Sequence, residues 1–192
     1  MTKIIRQLLD FARRGAAKKG RVDGSAISRA ALARLTLLAK KSSVALVLEG
    51  AEAPRVLDAD GGQLEQVIAN LVVNAVDASR EGGAVVVGLR EEEATPPAGQ
   101  GAQEVGQPGH YLRLDVRDQG TGIRAEDLEH MFEPFFTTKE VGAGTGLGLA
   151  VVHGIVHDHG GWIVVESTQT EGTCISVYLP MPSHELSNPG RR

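Results

Sequence analysis

Residues 144–161 read GTGLGLAVVHGIVHDHGG, and two patterns overlap in them. Glycines crowd the beginning, at 144, 146 and 148, and the pair Gly160–Gly161 closes the stretch. Between them Leu147, Val151, Ile155 and Val156 recur at helical spacing. The segment therefore reads as a loop that runs into a helix and is stopped by a C-capping glycine. A glycine-rich entry to a helix presents bare backbone N–H groups at the positive end of the macrodipole, which suits phosphate. The common phosphate patterns do not apply. No Lys follows the glycines as G-x-x-x-x-G-K-[ST] requires, and glycines at 142, 144, 146 and 148 lack the G-x-G-x-x-G spacing. His153 and His157 have the spacing of a helical zinc pair, but Gly154 stands where H-E-x-x-H has its Glu. On this stretch alone, a phosphate cradle and a plain bending loop both stay open.

The rest of the chain narrows the choice. At 192 residues and 42% hydrophobic content it is long enough for one domain with a sizeable core and a short appended segment. Its single cysteine, Cys174, excludes an intramolecular disulfide framework and fits a reducing compartment. No apolar run approaches the ~18 residues of a membrane helix, and MTKIIRQLLDFARR at the N-terminus lacks the apolar core of a signal peptide. The expectation is a cytoplasmic protein, or the cytoplasmic part of a larger one, with no membrane contact of its own. The net charge of −4 is unevenly placed: more than half of the Lys and Arg lie in residues 1–41, against only Asp10 and Asp23. That basic arm has one aromatic residue, Phe11, and its apolar residues form a stripe. A helix facing solvent or a partner explains it better than nucleic-acid binding.

Ile4, Ile5, Leu8, Leu9 and Ala12 mark the buried face of a first helix, which predicts packing against another helix or a second copy of the chain. Ser25 is placed to cap a second helix, with Ile27, Ala31, Leu35 and Leu38 inward. SVALVLEG and PRVLDAD then read as strands. From Asp60, a plausible N-cap, a helix runs to about Arg80 with Leu64, Val67, Ile68, Leu71, Val72 and Ala75 on one face. GAVVVGLREE and HYLRLDVRD are the next strands, separated by a Pro-, Gly- and Gln-rich stretch, residues 92–109, that reads as a disordered hairpin tip. A short helix near 125–132, a loop 134–146, the glycine-started helix, and the strands GWIVVEST and GTCISVYLP complete the pattern. The tail from Pro182 reads as unstructured. Strands grouped as hairpins predict an α/β (α+β) two-layer sandwich, a mixed sheet covered by helices on one face.

Three places carry chemistry. Asn70, Asn74 and Asp77 are spaced four and three apart, so they share one face of the helix and interrupt its apolar pattern. They either bond to neighbouring backbone or offer oxygen ligands to a hard cation such as Mg²⁺ beside a phosphate. Asp118-Gln-Gly120-Thr-Gly122 ends a strand. It is either a turn with an Asx interaction or a carboxylate that accepts from an amino group on a flat ring, with glycines admitting the ring. MFEPFFTTK, residues 131–139, gathers three of the chain's four phenylalanines just before the glycine loop. It is either a hydrophobic plug or the anchor of a lid that brings Thr137, Thr138 and Lys139 towards phosphate.

Taken in order, QLEQVIANLVVNAVDAS, DVRDQGTGI, FEPFFTTK and GAGTGLGLAVV resemble the asparagine box, first glycine box, phenylalanine box and second glycine box of sensor histidine kinases. The resemblance covers roughly residues 25–180, the ATP-binding catalytic domain. It implies the Bergerat fold, with ATP between the asparagine helix and the lid. Asn74, and more loosely Asn70, would hold Mg²⁺, and Asp118 would accept from the adenine amine with Thr173 helping through water. Asp77, Gly120, Gly122, Ile123, Phe136, Thr137 and Thr138 would line the nucleotide. Gly142, Gly144, Thr145, Gly146, Leu147 and Gly148 would form the lid and wrap the phosphates, and Asn70, Asn74 and Lys139 would be the catalytic set.

The resemblance also divides the chain: residues 1–22 as the end of a dimerisation and phosphoacceptor helix, 23–181 as the catalytic domain, 182–192 as a tail. It implies an acceptor histidine on a helix upstream of residue 1, a response-regulator receiver domain as partner, and a possible homodimer through the N-terminal helix. His184 and Glu185 in the tail read like an acceptor box, but Pro180, Pro182 and Pro189 around them deny it the long helix it needs. The alternatives are an ATP hydrolase of the wider gyrase, MutL and heat-shock-chaperone superfamily, or a non-catalytic nucleotide-binding scaffold. Those hydrolases carry a Glu where Asn70 stands, and a carboxamide cannot take a proton from water.

Overall fold

A computed structural model describes residues 17–97, 106–139 and 144–182. The expected N-terminal helix, Gly142 and the His184 tail lie outside the described residues. Strand β1 (Gly20–Asp23) pairs antiparallel with β3 (Val56–Ala59) in a two-stranded ribbon. The main sheet has the order β2 (Ala45–Glu49), β4 (Ala84–Ala94), β5 (Gly109–Asp118), β7 (Gly172–Pro180), β6 (Trp162–Thr168). Only β2 and β4 run parallel, and the remaining neighbours are antiparallel. The mixed sheet is thus as expected, and its alternation sorts the residues. Val85, Val87, Leu112, Leu114, Ile175 and Val177 point into the main core, where helices α1 (Gly24–Lys41), α2 (Gly61–Ala78) and α4 (Gly148–Asp158) cover them. A four-residue helix, α3 (Ala125–Leu128), follows β5.

The caps show why these helices begin and end where they do. The Asp60 carboxylate accepts from Gly62 N at 3.0 Å and Gln63 N at 3.2 Å, so the expected N-cap of α2 is the observed one. After α4, Gly160 N donates to the His157 carbonyl and Gly161 N to that of Val156, with Gly160 at φ +74°. These two bonds are the Schellman pair, and the C-capping glycine expected from the sequence supplies the left-handed turn.

Three expectations are corrected. Residues 20–22, assigned to the end of the N-terminal helix, are the strand β1. Because that strand ends at Asp23, the cap of α1 is Asp23, which accepts from Ser25 N at 2.9 Å, and not Ser25. The Ser25 hydroxyl is buried and donates to the Ala53 carbonyl at 2.8 Å. The hairpin tip is also shorter than expected, since β4 and β5 stay paired out to Ala94 and Gly109. Its described flanks pack over the back of the sheet. A Cβ on Gly106 would lie 2.8 Å from both Pro96 and Trp162. Below them Tyr111, Trp162 and Tyr178 form a second cluster, Trp162 stacked on Tyr178 at 4.7 Å and edge-on to Tyr111 at 4.4 Å.

Candidate nucleotide site

The open end of the helix-covered side is a cavity of about 510 Å³, within the range of small-molecule sites. One wall is α2. Its apolar face is committed to the core, so the residues one step round, Asn70, Asn74 and Asp77, are turned to the cavity. The Asn70 carboxamide nitrogen donates to the Gly148 carbonyl at 3.2 Å. This bond ties the asparagine helix to the first turn of α4 and leaves the Asn70 oxygen as the atom it can offer a ligand. A Cβ on Gly148 would come no closer than 3.9 Å to Asn70 or Asn74, so both carboxamides face the start of α4.

The opposite, apolar end is built by β5 and β7. Asp118 and Thr173 are direct partners across these strands, both buried, and both line the cavity with Val116 and Ile175. Burial pushes the Asp118 carboxyl above its ordinary value, opposed by hydrogen bonds from the Gly120 and Thr173 backbone N–H groups. Gly120 N reaches the Asp118 carboxylate at 2.8 Å. A side chain at Gly120 would strike the Ala78 carbonyl, and one at Gly122, whose φ is +70°, the Thr168 carbonyl. These glycines therefore let the turn after β5 lie against the end of α2 and the β6–β7 hairpin.

The third side is built from residues 131–139 and 144–148. Phe135 N donates to the Gly146 carbonyl at 2.9 Å, and Gly146 at φ +65° lies against the Phe135 backbone, which pinches the two ends of the loop together. The Lys139 ammonium sits 2.6 Å from the Asp77 carboxylate, joining this segment to α2. Phe136, Thr137, Thr138, Lys139, Gly144, Thr145, Gly146 and Gly148 all line the cavity.

Every described site residue expected from the sequence therefore borders this one cavity, except two. Gly120 acts behind Asp118, and Leu147 is buried core at the start of α4. Gly122, Ile123 and Thr173 join Asp118 at the apolar end. The sequence reading missed Asp127, a buried carboxylate in the wall that Arg124 holds with two bonds, 2.6 and 3.0 Å. The signal was present, as Arg124 and Asp127 have the i, i+3 spacing of a helical ion pair. His153 and His157 are on the exposed side of α4, with the His153 ring 5.3 Å from Phe132.

Residues 59–183 match the family described as histidine kinase-, DNA gyrase B- and HSP90-like ATPase. The chain belongs to this family. Its members are ATPases, and the residues that line the cavity, from Asn70 to Ile175, all fall within the matched stretch. The chain is 40% identical over 180 residues to the sensor kinase CckA of Brucella abortus, covering 92% of this chain and 18% of that protein. It is 32% identical over 190 residues to the sensor histidine kinase ZraS of Klebsiella oxytoca, covering 99% of this chain and 37% of the relative. The chain thus spans well under half the length of these relatives. Among solved structures, a mycobacterial sensor histidine kinase, MprB, superposes with a TM-score of 0.67 at 27% identity, over 85% of this chain and 99% of that one. The catalytic domain of histidine kinase ThkA does so with a TM-score of 0.68 at 26% identity, over 85% and 95%. The described fold is that of a sensor histidine kinase ATP-binding catalytic domain.

Proposed function

We propose that this domain binds Mg²⁺–ATP in the 510 Å³ cavity and transfers the γ-phosphoryl group to a histidine nitrogen on a dimerisation helix of the same kinase, for passage to a response-regulator receiver domain. One observation carries the reading. A single cavity has a buried acceptor carboxylate at its apolar end and two carboxamides facing a glycine-started helix at the other. The adenine amine would donate to Asp118, between Val116 and Ile175, while the phosphates meet the N-terminus of α4. The oxygens of Asn74 and Asn70 suit Mg²⁺, a hard cation that takes oxygen ligands and keeps several waters. Such an ion would offset the charge of the phosphates. Lys139 supplies a cation at the same end.

Hydrolysis is the weaker alternative, because no carboxylate stands at position 70 to take a proton from water. The N-terminal segment is read as the end of the dimerisation helix, and the domain as working in the cytoplasm. Among the described residues no helix is long and apolar enough to cross a membrane.

The test is binding of a fluorescent ATP analogue with and without Mg²⁺, for the parent and for Asn74→Ala. Loss of the Mg²⁺-dependent part of the affinity, with metal-free binding retained, is the expected result. Identical Mg²⁺ dependence in the two proteins would remove Asn74 from the metal site. Incubation with γ-labelled ATP, adding a histidine-bearing helical hairpin of the kinase in trans, then separates transfer from hydrolysis.

A further inference from the structure

Behind the base end of the cavity lies a hydroxyl that does not line it. Ser167, on β6, is half-buried and has three partners. Its Oγ accepts from Ile123 N at 2.8 Å, donates to the Gly172 carbonyl at 3.2 Å, and lies 2.8 Å from the Thr173 hydroxyl. A hydroxyl has one proton and two lone pairs. Ile123 N–H takes one lone pair, and the Gly172 carbonyl, which can only accept, takes the proton. The Thr173 hydroxyl must then donate its own proton to the second lone pair. Its remaining lone pairs are what Thr173 presents beside Asp118, its partner across the strands.

We infer that Ser167 is a positioning residue for base selection: by taking the Thr173 proton it makes that wall an acceptor and so favours a base with an exocyclic amine over one with a carbonyl. The inference rests on the reading of the Asp118 end as the base end. Two acceptors side by side match the 6-amino group of adenine, directly or through water, and repel the 6-carbonyl that replaces it in hypoxanthine. Without Ser167 the Thr173 hydroxyl is free to rotate and donate into the cavity, towards a carbonyl. The same bond to Ile123 N fixes the turn that faces the base, so one side chain sets both walls.

The experiment is competition by ATP and by inosine triphosphate against a fluorescent ATP analogue, for the parent, Ser167→Ala, Ser167→Thr and Asp118→Asn. Ser167→Ala is expected to weaken ATP about fivefold, the scale of one hydrogen bond, and to leave inosine triphosphate within about twofold of the parent. Ser167→Thr, which keeps the hydroxyl, should restore the parent ratio. A partly unfolded variant lowers both ligands alike, so the ratio reports on the hydroxyl and not on stability. An unchanged ratio in Ser167→Ala, with the preference for ATP lost in Asp118→Asn, would overturn the role of Ser167 alone. No preference for ATP in the parent would overturn the reading of the base end, and this inference with it.

Discussion

Under the proposed function, Asp118 is a residue that trades stability for recognition. Its carboxyl is raised by burial against two backbone N–H donors that favour its charge. An acid whose folded value is raised binds its proton more tightly when folded, so this contribution to stability is complete below 3.8 and is lost as pH rises through the folded value. An ionised carboxylate here is therefore a cost to the fold, which the proposed contact with the ligand would explain. Asp118→Asn should keep or raise the denaturation midpoint at pH 7 while weakening ATP by about 1–3 kcal/mol, one charge-assisted bond. The affinity gap between parent and variant should narrow on acidification as the parent carboxylate takes up a proton. Parallel urea melts and ATP titrations check this, and a variant that loses stability and affinity together would contradict it. Gly148 separates the same two quantities sterically. A methyl there meets nothing nearer than 3.9 Å, and Ala is a better helix former than Gly by roughly 0.5–1 kcal/mol. Gly148→Ala should thus melt no lower than the parent, yet bind ATP more weakly because the methyl projects towards Asn70 and Asn74. Unchanged ATP affinity would place the phosphates elsewhere.

At the scale of elements, the two helices that frame the cavity are joined at their far ends through a buried histidine. His159 follows α4, and its Nε2 accepts from Asp60 N at 3.0 Å while its Nδ1 lies 2.7 Å from the Ile155 carbonyl. A carbonyl only accepts and an amide N–H only donates, so Nδ1 donates to Ile155 and Nε2 accepts from Asp60. Asp60 in turn caps α2, and its carboxyl is lowered first by the Gln63 N–H. His159→Leu would leave Asp60 N–H without a partner and should destabilise the fold by about 1–3 kcal/mol in chemical denaturation. An unaltered midpoint would show that the link carries no weight. The limits of sequence reading appear at this scale too. The periodicity of α2, the Asp60 cap and the Gly160 stop were legible because each is a local signal of spacing or backbone geometry. Asn70, Asn74, Asp118 and the glycines were legible because polar or small residues interrupt apolar patterns there. The strand β1, the Asp23 cap, the Asp60–His159 bond and the Ser167 hub were not. The strand pairing, the Asp60–His159 bond and the Ile123–Ser167 bond each need a partner tens of residues away, so no neighbouring residue marks them, and the Asp23 cap follows from where β1 ends. The hairpin insert reads as polar and featureless, yet Gly106 packs on Trp162 because the aromatic cluster beneath needs covering.

For the whole molecule, the decisive quantity is charge. Apart from Asp10 and Asp23, every acidic residue lies beyond residue 41. Asp77, Asp118 and Asp127 line the cavity, and Lys139, the one cation that lines it among the described residues, is already paired with Asp77. ATP brings several further negative charges into this site. Without a divalent cation, its phosphates would have only the N-terminus of α4 and a shared lysine to oppose them, since surface-type pairs of this kind contribute little. Mg²⁺–ATP should consequently stabilise the fold far more than ATP alone. At a hundred times its dissociation constant a ligand adds about 2.7 kcal/mol, which for a domain of this size raises Tm by roughly 5–10 °C. With EDTA in place of Mg²⁺, the shift at the same ATP concentration should fall to less than half. Asn74→Ala should show the smaller shift in both conditions, because the ligand that couples metal to phosphate is gone. Differential scanning calorimetry of the two proteins in the two buffers decides the matter. A Tm shift that is equally large with EDTA would mean that the protein itself supplies the charge that the metal is argued to bring.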